Sequence, residues 1–210
     1  MRPRAGARVH KAIWIVTAAI ALLCGPAAAQ SLPAIYSVTG VQEDDVLNVR
    51  REPTVQSDIV GELEPDAADI EVVALSENGW GLLNTGEGSG WVNMGFMELV
   101  GAFAWPPATL SCFGTEPFWD ATVAGFRGAL EVTLSTFDDA PLEGVAHPGS
   151  SANSLDRWSF FGRDASGSGI AASLRREQCS DGMSDRAYGI SIELLLEGTS
   201  AHLSGCCTLD

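Results

Sequence analysis

The sequence predicts an all-β protein: two small antiparallel domains behind an export signal, the second of them stapled by disulfides. Three observations carry this. Apolar and polar residues alternate with period two along much of the chain, as in Leu130, Val132, Leu134 and again in Ile190, Ile192, Leu194; that is the pattern of strands with one buried face. Gly-, Asp- and Ser-rich turns separate these runs, and no helical periodicity replaces them. Four cysteines follow residue 30, namely Cys112, Cys179, Cys206 and Cys207, and all lie beyond residue 110. An even count reads as two disulfides confined to the second half.

The N-terminus opens with Arg2, Arg4, Arg8 and Lys11, continues with an apolar run over residues 12–23, and reaches Ala27-Ala28-Ala29 before Gln30. A basic region, a short apolar core and an A-x-A site make residues 1–29 a signal peptide, with cleavage expected near Ala29-Gln30. The run is too short to span a bilayer as a helix. Cys24 raises the rival reading of a lipoprotein, but Leu23 stands where lipoprotein processing takes a small residue. No later segment is apolar enough for a membrane-spanning helix, so the expected location is periplasmic or secreted, without membrane insertion after cleavage.

Cleavage removes four cations and leaves eight arginines against 27 acidic residues, a net charge of −19. Such a charge repels nucleic acid and anionic lipid and is compatible with a cationic protein partner. A solvated acidic surface is the favoured reading of that charge, and it needs no partner.

Phe103-Ala104-Trp105-Pro106-Pro107 divides the chain, because paired prolines cannot donate to a ladder and favour a stiff extended connection. The expected organisation is a first domain over residues 34–100, a proline-rich linker over 101–107 and a disulfide-bonded β domain over 108–210. In the first domain, strands are expected over residues 46–50, 59–63, 69–75 and 80–84, with 89–93 as the last. Asn78-Gly79 supplies a hairpin turn. Five short strands in some 65 residues suggest a small barrel.

The run Leu47-Asn48-Val49-Arg50-x-x-Pro53, then Ile59-Val60-Gly61-x-Leu63, Gly79-Trp80 and Gly90-Trp91-Val92, resembles the bacterial SH3-like domain over residues 36–100. Glu52 departs from the pattern, which has a small residue before the proline. The resemblance implies a non-catalytic barrel that often targets cell wall or partner proteins. Trp91 reads as core, whereas Trp80 is open between core and a ligand groove.

In the second domain, strands are expected at residues 130–135, 158–160, 170–174, 188–197 and 201–207, forming a barrel or a sandwich. Cys112-Phe113-Gly114-Thr115-Glu116-Pro117-Phe118-Trp119, Cys179-Ser180-Asp181-Gly182-Met183-Ser184-Asp185-Arg186 and Leu203-Ser204-Gly205-Cys206 resemble an uncharacterised bacterial envelope family over residues 108–208. That resemblance transfers no activity.

Strand parity orders the cysteines. Cys206 and Cys207 are adjacent, so they face opposite sides of one strand. Cys207 shares parity with Leu203 and is expected on the apolar face, like Cys112 beside Leu110. Cys206 falls with His202 and Ser204 on the wet face, as Cys179 does with Ser173 and Arg175. The expected pairs are Cys179–Cys206 and Cys112–Cys207, worth on the order of 3.5 and 4.5 kcal/mol in the chain-entropy account.

Catalytic chemistry finds little support. Ser204-Gly205-Cys206 with His147-Pro148-Gly149-Ser150 only partly matches a cell-wall transpeptidase arrangement, and a disulfide would remove the thiolate. Beyond residue 30 there is no lysine, G-x-S-x-G or H-E-x-x-H. A carboxylate pair of a cell-wall hydrolase has no motif to mark it. His147 and His202 read as surface residues. Asp181 and Asp185, around Gly182, fit turn capping better than Ca²⁺ ligation, because the oxygen spacing of an EF-hand is missing. No cofactor is implied.

The expected function is therefore a non-catalytic periplasmic binding or scaffolding protein whose SH3-like domain contacts peptidoglycan or an envelope partner. The alternative is an inhibitor of a cationic lysozyme-type hydrolase, for which Ser166-Gly167-Ser168-Gly169 is a partial motif lacking the Arg-Tyr that should follow. If the second domain binds, the expected place is where Glu116 and Trp119 meet Asp181, Asp185 and Arg186. Trp119 is expected partly exposed there, and Arg186 paired with Glu116 or Asp181.

Overall fold

The computed structural model describes residues 31–86, 88–100, 105–125, 128–136, 141–150, 153–198 and 202–209. The segment expected as a signal peptide over residues 1–29, Cys24 within it, residues 101–104 of the proline-rich segment and Ala201 lie outside them. The protein is all-β.

The N-terminal part holds β1 (Ala34–Val38), β2 (Leu47–Arg50), β3 (Ile59–Leu63), β4 (Ile70–Val72), β5 (Ala74–Leu75), β6 (Trp80–Asn84), β7 (Ser89–Asn93) and β8 (Met97–Leu99). They form a sheet ordered β4-β1-β8 and a second ordered β3-β2-β7-β6-β5. Tyr36, Val49, Val72, Leu83 and Val92 are buried between the sheets. Asn78-Gly79 turns β5 into β6, with Gly79 at φ 83°, the left-handed geometry such a hairpin favours. The segment expected as one strand over 69–75 breaks at Val73, where the chain passes from one sheet to the other. Ser89–Asn93 is also not the last strand here. A short 3₁₀ turn at Met94–Phe96, capped by the Asn93 side chain accepting from the Gly95 amide, leads into β8, which pairs with β1.

The second part is a closed antiparallel barrel of β9 (Thr109–Thr115), β10 (Phe118–Ala124), β11 (Leu130–Thr136), β12 (Leu142–Ser150), β13 (Arg157–Asp164), β14 (Gly169–Cys179), β15 (Tyr188–Leu196) and β16 (His202–Leu209). Each strand pairs with the next, and β16 closes onto β9. Of barrel and sandwich, the fold is the barrel. His147 is exposed on β12, a strand absent from the sequence expectation. Pro148 fits that strand because the β11 ladder ends at Leu130↔Ala146, so its missing amide costs no bond on that side.

Eight strands leave an interior that side chains just fill. Leu110, Val123, Leu130, Phe160, Leu174 and Ile190 are fully buried there. Trp119 joins them at 4% exposure, against the expectation of a partly exposed ring. Its slot is made by two glycines. A Cβ on Gly114 would overlap the indole Nε1, and one on Gly205 would sit 2.7 Å from the ring. The G-T-E-P-F-W and S-G-C runs are thus coupled by packing. At one end of the barrel Trp105 packs against the core, and the Arg176 guanidinium lies 5.0 Å from its ring centroid. Arg176 also pairs with Asp156 at 3.2 Å. The proline segment therefore docks on the barrel rather than hanging free at that point.

The disulfides are Cys112–Cys207, separated by 95 residues, and Cys179–Cys206, separated by 27. Cys207 faces Cys112 across the β16–β9 seam inside the barrel. Cys206 faces outward but is fully buried, not wet as its neighbours His202 and Ser204 suggest. On that face it is bonded to Cys179.

Gly114→Ala is expected to destabilise the fold by about 1–3 kcal/mol through overpacking, and Trp119→Ala by about 3–5 kcal/mol through a cavity. Denaturant midpoints of the two variants measure this. An unchanged midpoint for Gly114→Ala would contradict the slot.

Candidate functional site

The loop between Cys179 and Tyr188 is built around Asp181. Its Oδ1 accepts from the amides of Met183 at 3.0 Å and Ser184 at 2.9 Å, and its Oδ2 from the Ser184 hydroxyl at 2.7 Å. The Tyr188 hydroxyl stands 3.5 Å away. Burial acts to raise the Asp181 pKa, but these hydrogen bonds outweigh it, and the carboxyl is held below its ordinary value. Asp181 is a turn cap, and its oxygens are spent within the turn. Cys179 ties the loop's start to β16 through Cys206. The Thr115 hydroxyl donates to the Asp181 carbonyl at 2.7 Å. The two motifs of the barrel therefore adjoin.

The far end of the loop grips the N-terminal strands. Asn84, at the end of β6, donates to the Ala187 carbonyl at 2.9 Å and accepts from the Ala187 amide at 3.0 Å. The Ser89 hydroxyl donates to the Asp185 carbonyl at 3.1 Å, and Gly88 bridges Asp185 in parallel. Arg186 donates through Nη2 to the carbonyls of Gly86 at 2.6 Å and Thr85 at 3.3 Å. Beneath these bonds Ala187 is buried with Val73 and Leu82. Pro33 also lies so close to Gly189 that a Cβ there would fall 2.8 Å from the proline ring. Each such hydrogen bond contributes about 1 kcal/mol net, so their joint action makes this loop a clasp.

The geometry corrects two expectations. Arg186 does not pair with Glu116 or Asp181; its partners are backbone carbonyls of the β6–β7 turn, which carry no charge for it to neutralise. Trp119 takes no part in the junction, being enclosed in the barrel. Glu116 is exposed in the turn between β9 and β10, and Asp185 is exposed with its backbone rather than its carboxylate engaged. Cys206 is oxidised to a disulfide and offers no thiolate. Ser166-Gly167-Ser168-Gly169 forms the β13–β14 turn, closed by Asp164, whose Oδ1 accepts from the Ser166 hydroxyl at 2.7 Å and the Ser168 amide at 2.8 Å.

Trp80 lies elsewhere. It is 7% exposed and lines a groove of about 270 Å³ with Gln42, Asp45, Arg50, Val55 and Phe96. Of these, Val55 and Phe96 are exposed at 60% and 40%. Trp91, expected in the core, is half-buried and packs beside Val73 and Leu82 instead. The groove and the clasp occupy opposite ends of the β6–β7 hairpin, about 13 Å apart along β6 at the usual strand rise. The clasp thus leaves the groove open. Sequence reasoning missed Asn84, Ser89 and Phe96. Asn84 reads only as the end of the strand expected over 80–84, and nothing local announces a partner about a hundred residues away.

Because Asp181 is depressed in the folded chain, its stabilisation is fully present above the unfolded carboxylate pKa and is lost as pH falls through the lower folded value. Asp181→Asn is expected to lower Tm at neutral pH, with the gap from wild type closing below the ordinary carboxylate range. Thermal melts across acid pH check this. A gap independent of pH would contradict it. Compared with family models, curated proteins and solved structures, the chain matches none.

Proposed function

We propose that this chain is a non-catalytic binding or scaffolding protein of the bacterial envelope, whose SH3-like N-terminal part contacts peptidoglycan or another envelope protein through the groove at Trp80. The observation that carries the reading is the groove itself. It combines an aromatic floor, two exposed apolar side chains in Val55 and Phe96, and a polar rim in Gln42, Asp45 and Arg50. Apolar lining with a few convergent polar groups is the usual make-up of a recognition site. The Arg50 guanidinium donates to the Ser57 carbonyl at 2.7 Å, which fixes one wall before any ligand arrives and lowers the ordering cost of binding. Two disulfides fit an oxidising compartment, and the signal-like N-terminus supports export to the periplasm or beyond. On this reading the barrel is a rigid platform that presents the groove.

The test is retention on purified, insoluble peptidoglycan and recovery of partners from an envelope extract. Val55→Asp and Phe96→Ser alter exposed positions and are expected to keep the wild-type Tm. Each is expected to reduce retention or recovery at least tenfold. Wild-type protein that binds neither material, or variants that bind as well as wild type, would overturn the proposal. Recovery of a basic muramidase undiminished by the two variants would instead favour the inhibitor reading.

A further inference from the structure

One wall of the groove at Trp80 belongs to no strand. Val55 lies in the turn joining β2 to β3, is 60% exposed, and lines the groove together with Trp80. The turn shapes itself. The Arg51 amide donates to the Asp58 carbonyl at 2.9 Å, the Glu52 amide to the Ser57 hydroxyl at 2.9 Å, and the Ser57 amide to the Thr54 carbonyl at 3.2 Å. These bonds all lie within the turn, so none of them sets where Val55 stands relative to Trp80. We propose that Asn78 sets it, as a positioning residue that ties the Val55 wall to the strand carrying Trp80 and so fixes the width at which the groove accepts a ligand. The proposal rests on the groove being the binding site.

Asn78 Nδ2 donates to the Pro53 carbonyl at 2.8 Å, across 25 residues of sequence. On its other side, Asn78 Oδ1 accepts from the Ser76 hydroxyl at 2.6 Å. The amide has one orientation here, because a carbonyl only accepts and a flipped amide would set oxygen against oxygen. Ser76 is itself locked to Trp80. Its Oγ accepts from the Trp80 amide at 3.0 Å, and its own amide donates to the Trp80 carbonyl at 2.8 Å. An unbroken run of hydrogen bonds therefore leads from the Trp80 backbone through Ser76 and Asn78 to Pro53, two residues before Val55. Two residues after Val55, the Ser57 carbonyl accepts from Arg50 Nη1 at 2.7 Å. Arg50 ends β2 at the root of the same turn, so its bond braces the turn without linking it to β6. Among the described residues, Asn78 is the only side chain from outside β2, β3 and their turn that hydrogen-bonds this segment. It is exposed and does not line the groove, so it acts on a ligand only through the wall it holds. A wall held in place before binding leaves less to order on binding.

Two variants of the full-length exported protein test this. Asn78→Ala removes the tie, and Asn78→Asp keeps the acceptor for Ser76 while losing the donor to Pro53. Both are expected to hold Tm within about 4 °C of wild type. Without any ligand, both are expected to speed hydrogen exchange at the amides of Glu52, Thr54 and Ser57, with the β6 amides exchanging as in wild type. Retention on purified insoluble peptidoglycan, or recovery of the envelope protein if that is what the wild type binds, is expected to fall about fivefold, the worth of one hydrogen bond. A purely structural role would not couple to Val55, so the same retention is measured in two double-mutant cycles. Asn78→Ala added to Val55→Ala is expected to cost little more than Val55→Ala alone, whereas Asn78→Ala and Phe96→Ser are expected to add. Wild-type exchange in the turn of both variants would overturn the proposal with no ligand involved. So would wild-type retention in either variant, or full additivity with Val55→Ala. A wild type that binds neither material overturns the reading of the groove and this proposal with it. Binding lost in Val55→Asp and Phe96→Ser but kept in both Asn78 variants leaves the groove standing and overturns only the role of Asn78.

Discussion

Two adjacent cysteines on the final strand organise this molecule. Because neighbouring residues of a strand face opposite sides, Cys207 and Cys206 work in different places from a single point of β16. Cys207 reaches inward to Cys112 and cross-links the seam where the barrel closes, between the first and last of its strands. Cys206 reaches outward to Cys179 and pins the start of the clasp loop to the same strand. The Asp181 turn, the Thr115 contact and the grip on Asn84 all follow from that pin. Without it, the loop would have to order its turn and find the β6–β7 hairpin at its own entropic cost.

Much of the fold was legible because β periodicity is a local signal. Leu130, Val132 and Leu134, or Ile190, Ile192 and Leu194, declare a buried face without any knowledge of partners. The same parity argument paired the cysteines, since it needs only strand direction and neighbours of known polarity. It could not foresee that Cys206, on the outer face, would be fully buried. Burial there accompanies the bond to Cys179 on another strand, a tertiary fact. Trp119 failed for a related reason. An aromatic beside Pro117 reads as strand entry and therefore as partly exposed, and only the packing of Gly114 and Gly205 against its indole shows that it points inward. β1 and β8 were missed because β8 is three residues long and pairs with β1 across nearly the whole N-terminal part, while β1 pairs on its other side with β4.

The candidate site divides along the same line. The adjacency of the G-T-E-P-F-W and C-S-D-G-M-S-D runs is real, and their distinctive chemistry is spent on structure: two glycines make a tryptophan slot, and an aspartate caps a turn. A recess lies to either side of the clasp. One recess sits at the Trp80 end of the β6–β7 hairpin, and the other lies between β4 and the barrel. Their walls differ, one being aromatic and apolar with a mixed rim, the other aromatic with two carboxylates.

The central claim is that the Cys179–Cys206 bond holds the N-terminal strands to the barrel through the clasp loop. Hydrogen exchange on the Cys179→Ser, Cys206→Ser double variant tests it most directly. The account predicts lost protection across residues 180–189 and at the Asn84–Ser89 end of the hairpin, with β11, β12 and β13 protected as in wild type. Protection unchanged at the hairpin, or lost first from the barrel strands, would contradict it.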